Sequence, residues 1–181
     1  MQARIEQCLR ELQEVTAEAQ FLFGQLSEEK LNRKPAPDKW SIAQVLHHLI
    51  VTNSTYYPQF TAIAKGEYRQ SFYQKFNFLS SYLGKQLLKD LGPVKSKNYI
   101  SPKIFAPSHS VLPGKIVADF INHQQDLSKR IQQLDNINLS STVISSPAAS
   151  LIIYNLDDAL QIICAHERRH MIQASYVKNN I

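Results

Sequence analysis

His166-Glu167-Arg168-Arg169-His170 lies inside a long amphipathic run near the C-terminus, and the reading of these five residues decides the fold. Residues four apart on an α-helix sit one turn apart on the same face, so two imidazoles can reach one metal ion. At about 100° per residue the two histidines fall within roughly 40° of one another. They lie between Ala159, Ile163 and Val177, so both point toward a core. A lone buried histidine is ordinarily satisfied by a hydrogen bond. Two on one apolar face need two sets of buried partners, and a shared metal ion serves both.

The five residues also spell H-E-x-x-H, the pattern of helical zinc hydrolases in which the intervening glutamate is the general base. Three features argue against a protease. Arg168 and Arg169 put two cations between the histidines. The tail Met171–Ile181 holds no His, Asp or Glu to serve as a third ligand. No edge strand is evident to hold an extended peptide. An HExxH-type metallohydrolase therefore stays only as an alternative.

The helix carrying this run is predicted over 155–178. Asn155 caps it, Asp157 and Asp158 face the positive end of its dipole, and Leu156, Ala159, Leu160 and Ile163 continue its stripe. Working back, Ile116, Val117, Phe120, Leu127, Ile131 and Leu134 mark a helix over 114–136. Residues 65–113 are less regular. Phe72, Phe76, Leu79, Tyr82, Leu83, Leu87, Leu88 and Leu91 suggest one amphipathic piece, followed by a loop through Pro102, Pro107 and Pro113. A connection this long can cross from one end of a bundle to the other, so its flanking helices can run parallel.

A helix over 41–64 opens with Ser41 as N-cap and Gln44 closing a capping box. Trp40 can staple onto Val45, a reading that competes with a place at a ligand pocket. The first helix, 2–25, carries Ile5, Cys8, Leu9, Leu12, Val15, Ala19, Leu22 and Phe23 at helical spacing, with Leu26 continuing the stripe just beyond it. Ser27 starts a short extra turn, and Pro35 and Pro37 break the chain before Trp40. Val143–Ser145 and Leu151–Tyr154 are candidate short extended pieces. The expectation is one all-α domain over 1–181, a four-helix bundle with a long crossover between its second and third helices.

Composition bounds the function. With 20 Lys+Arg against 15 Asp+Glu the chain is mildly basic at +5, but the cations are scattered, which predicts solvated faces and no nucleic-acid partner. No apolar run approaches the ~20 residues that span a bilayer, so no membrane partner is expected. The start MQARIEQCLREL lacks a signal-peptide core, and Cys8 and Cys164 are too few for a disulfide framework. A cytoplasmic protein with free thiols is the expectation.

Four further histidines compete for the metal. His47 and His48 fall on opposite flanks of their helix, and periodicity does not choose between them. His123, between Phe120 and Leu127, is a possible fourth member of a cluster. His109 sits in a proline-flanked loop and is expected to face solvent. Cys164 lies roughly 160° around the helix from His166, badly placed to attack a molecule held there.

Taken together, Trp40-Ser41-Ile42-Ala43-Gln44-Val45-Leu46-His47-His48-Leu49 and His166-Glu167-Arg168-Arg169-His170-Met171-Ile172-Gln173 resemble the DinB/YfiT-like family of metal-binding four-helix bundles. In the family pattern the ligand precedes a leucine, which selects His48, and the second motif maps the other ligands onto His166 and His170. The resemblance implies a three-histidine site for a divalent transition metal, zinc or nickel, with positions left for water or substrate. Such a site suits Lewis-acid work, activating water or a thiolate. The implied activity is transfer of a low-molecular-weight, bacillithiol-type thiol onto a small electrophile, or hydrolysis of a small molecule. The alternative is a non-catalytic metal-binding stress-response module. Glu167 and Gln173 are the candidate catalytic side chains, Glu167 more readily a partner of an arginine or an acceptor behind the ligands. The resemblance also implies a homodimer, and Phe72, Tyr73, Phe76, Phe78 and Tyr82 exceed what one face must bury.

Overall fold

The structure, a computed structural model, describes residues 1–71, 74, 111–147 and 149–181. His109, the aromatic residues Phe72, Tyr73, Phe76, Phe78 and Tyr82, and most of the expected crossover lie outside the described residues. Helix α1 spans Ala3–Phe23 and buries the expected stripe of Ile5, Cys8, Leu12, Val15, Ala19 and Phe23. The short α2, Glu28–Asn32, starts where the Ser27 hydroxyl accepts from the Lys30 amide. Helix α3, Ile42–Ser54, carries the full capping box: Gln44 N–H donates to Ser41 Oγ, and Ser41 N–H donates to Gln44 Oε1.

The helix expected over 41–64 is two helices. α3 ends at Ser54, and α4 restarts over Tyr57–Ala64 with a proline in its first turn. Pro58 explains the break. It has no N–H to give the Ser54 carbonyl, and its ring clashes there, whereas in a first turn that N–H has no helical partner to lose.

Helix α5 spans Ile116–Gln132 and α6 Leu156–Lys178. Between them an antiparallel hairpin pairs β1 (Val143–Ser146) with β2 (Ala149–Asn155), placing Ile144 opposite Tyr154. The two candidate extended pieces thus pair with each other, adding a small sheet to the helical bundle. Strand β2 runs directly into α6, because Asn155 ends the strand and its Oδ1 accepts the Asp158 amide at 2.7 Å.

Helices α1 and α3 each pack against both α5 and α6, so the order around the bundle is α1–α5–α3–α6. Helix α5 runs parallel to α3. Val117 and Phe120 share a cluster with Ile42–Leu49, and one end further on His123 meets Tyr57 and Arg130 meets Thr61. That parallel pairing needs a connection the length of the bundle, and residues 65–115 supply the length.

Among the described residues the core consists of two apolar clusters. One gathers Val15, Phe23, Leu46, Leu49, Phe120 and Met171, the other Leu12, Phe60, Leu127, Tyr154, Leu160 and Ile163. Each such side chain, fully removed from water, contributes about 1.5–3 kcal/mol of transfer free energy. Along α3, α5 and α6 the residues between the clusters are polar and buried: Asn53, His123, Gln124 and Glu167. The histidine pair of α6 lies at that same level.

Candidate metal centre

Helix α3 delivers His48, 3% exposed, and α6 delivers His166 and His170, both partly exposed. Nε2 of His166 lies 3.3 Å from Nε2 of His48 and 3.0 Å from Nε2 of His170. Two nitrogens each about 2.05 Å from one tetrahedral ion stand about 3.3 Å apart, so the spacing fits a common metal. These three side chains form the one cluster of potential ligands among the described residues.

The protonation chemistry fits as well. A ligand imidazole must be neutral. Burial, with the neighbouring imidazoles second, pushes His166 well below its ordinary value. Burial first and His48 second push His170 down to about 3. Gln173, one turn beyond, places Oε1 2.8 Å from His170 Nδ1. A carbonyl oxygen can only accept, so the His170 proton sits on Nδ1 and the Nε2 lone pair faces the other two rings.

Trp40 lines the cluster. Its ring stacks on His170 at 6.0 Å and lies 4.9 Å from the His48 ring, while it also packs against the apolar cluster that includes Val45. The staple reading alone understated this residue. Its position directly before the capping box was the available signal, since the cap fixes where α3 starts and His48 lies two turns on.

The other candidates resolve differently. His47 is not in the cluster. Nor is His123 a fourth member: its Nδ1 lies 3.1 Å from the Tyr57 hydroxyl, the rings stack, and burial pushes its pKa down to about 4. Glu167 is fully buried and accepts from Asn53 Nδ2 at 2.7 Å and Gln124 Nε2 at 2.5 Å. Arg168 turns outward to Glu14 and Glu18 on α1. Burial raises the Glu167 carboxyl to about 7, against its two amide donors. Asn53 and Gln124 escaped sequence reasoning, although each is a polar residue at an otherwise apolar core position.

Residues 11–174 match the DinB superfamily. The chain belongs to that superfamily. A solved structure with the same fold is YfiT from Bacillus subtilis, described as a probable metal-dependent hydrolase with an unusual four-helix bundle topology. It aligns with a TM-score of 0.58 at 14% identity, over 99% of this chain and 89% of YfiT. A search of curated proteins gives no match. The DinB resemblance drawn from the two motifs and the four-helix-bundle expectation are both borne out. No described helix is long and apolar enough to cross a membrane.

Proposed function

We propose that this DinB superfamily member is a metal-dependent enzyme acting on a small molecule, with His48, His166 and His170 holding one divalent transition metal, zinc or nickel. The convergence of three imidazole Nε2 atoms from two helices carries the reading. When bound, a metal with three nitrogen ligands supplies Lewis acidity at its remaining positions.

The chain's own residues set the rest. Gln173 keeps the His170 proton on Nδ1, and Trp40 provides an apolar wall over two of the rings. Glu167, with both oxygens engaged by Asn53 and Gln124, acts as a structural acceptor. Cys8 and Cys164 turn to each other between α1 and α6, so neither serves as nucleophile for a molecule held at the histidines. The nucleophile is external, water or a low-molecular-weight thiol. The YfiT description favours hydrolysis, and the family resemblance adds thiol transfer.

The test is a panel of small electrophiles and esters, assayed on metal-loaded protein with and without bacillithiol, mycothiol, glutathione and coenzyme A. Turnover is expected to persist in Cys8→Ala and Cys164→Ala and to vanish in His166→Ala or on chelation. Metal-independent turnover overturns the proposal. Full metal occupancy without turnover across the panel favours the non-catalytic metal-binding module.

A further inference from the structure

Away from the histidines, α1 and α6 lie side by side and run parallel. Arg4 pairs with Asp157 at 2.8 Å, and further along Glu14 pairs with Arg168. Between these two ion pairs the Sγ atoms of Cys8 and Cys164 stand 2.7 Å apart. Both are free thiols, 1% and 5% exposed. Their surroundings on the inner side are apolar, from Leu12 to Leu160 and Ile163. On the outer side they line a surface cavity of about 200 Å³ together with Arg4, Gln7, Glu11 and Gln161.

We infer that Cys8 and Cys164 are a redox modification site, closing to a reversible disulfide that staples the first helix to the last, with a low-molecular-weight disulfide as the oxidant. Three observations carry this. The sulfurs are already paired within the bundle, 2.7 Å apart against the roughly 2.05 Å of a disulfide bond. The flanking ion pairs hold the two helices in the register the bond requires. The cavity gives a small reagent a path to sulfurs that a macromolecule does not reach.

The chemistry balances without any group from the metal site. One of the two thiols gives up its proton, and its sulfur attacks one sulfur of the reagent. The reagent's S–S bond breaks and one thiolate leaves, giving a mixed disulfide. The other cysteine then gives up its proton and attacks the sulfur of the first, breaking the mixed disulfide and expelling the second thiolate. Two electrons pass from the cysteines to the reagent, which departs as two thiols carrying the two protons.

The bond joins residues 156 apart in sequence, so it closes nearly the whole chain into one loop. Constraining so long a loop in the unfolded chain raises the melting temperature on the order of 10 °C in a chain of this size. The inference does not rest on the proposed function.

The experiment incubates the full native chain with oxidised glutathione and then alkylates under denaturing conditions. Intact mass, a non-reducing peptide map and a thermal melt follow. The expected result is a monomer lighter by two hydrogens, a linked Cys8–Cys164 peptide pair, and a raised melting temperature that reverts with dithiothreitol. Cys8→Ala and Cys164→Ala should each lose the linked peptide and the thermal gain. Two alkylated cysteines after prolonged incubation overturn the inference. So does a terminal glutathione adduct on either cysteine, or a disulfide between two chains.

Discussion

Two polar clusters share the middle of the bundle, and both draw on the same five residues of α6. On one flank, His166 and His170 meet His48 with three Nε2 atoms converging. On the other, Glu167 meets Asn53 and Gln124, two amide donors for two carboxylate oxygens. The glutamate set is complementary at the carboxylate, where each oxygen has an amide donor. The histidine set is not: three Nε2 atoms face one point, a spacing that a shared cation would fit. A match to H-E-x-x-H thus conceals two different roles, and the partner helices separate them. The comparison predicts that metal and stability divide cleanly between the clusters.

The largest effect should fall on the histidines. Alanine at His48, His166 or His170 should reduce metal content, read by elemental analysis after dialysis, from about one per chain to near zero. His47→Ala should leave it unchanged. Retention of metal by His48→Ala and loss by His47→Ala would erase the distinction drawn between adjacent histidines.

Glu167→Ala should do the reverse. It leaves the Asn53 and Gln124 donors buried without an acceptor, a cost of about 3 kcal/mol, or roughly 6–12 °C in melting temperature for a chain of this size. Metal content should hold. A Glu167→Ala protein that melts normally but binds no metal would merge the clusters into one site.

Gln173→Ala sharpens the metal side. Removing the acceptor that fixes the His170 tautomer should weaken metal affinity about 10–100-fold, measured by competition with a chromophoric chelator, without abolishing binding. An unchanged affinity would reduce Gln173 to a bystander.

The smallest effect concerns His123, which shares the level of the ligands but not their partners. Its folded pKa, about 4, lies below the ordinary 6.5 because the ring is buried. Between those values the unfolded chain binds a proton that the folded chain does not. The His123 contribution to stability is therefore complete above about 6.5 and is lost as pH falls toward 4, at up to about 1.4 kcal/mol per pH unit. Denaturant titrations of wild type and His123→Asn, subtracted pH by pH, should isolate that slope. A flat difference would show that His123 titrates alike in both states.

Much of the bundle was legible because helices advertise themselves locally. The stripes over α1, α5 and α6, the Ser41–Gln44 capping box and the Asn155 cap all appear where periodicity and side-chain chemistry placed them. The break between α3 and α4 was missed because the apolar spacing runs on through Pro58, masking the lost hydrogen bond. At the site, the i, i+4 pair was visible in sequence, whereas His48 was selected only through the family motif. Periodicity had placed it symmetrically with His47.

By itself the sequence determined which segments are helical, which face of each is apolar, and that α6 carries two imidazoles on one face. Those properties depend on residues within one or two turns of each other. Tertiary structure alone decided that His48 meets His166 across 118 positions, that Glu167 finds Asn53 across 114, and that Cys8 finds Cys164 across 156. Such partners are chosen by how four stripes pack and by the parallel course of α3 and α5. No local pattern encodes that choice, because it follows from burying all the apolar faces at once.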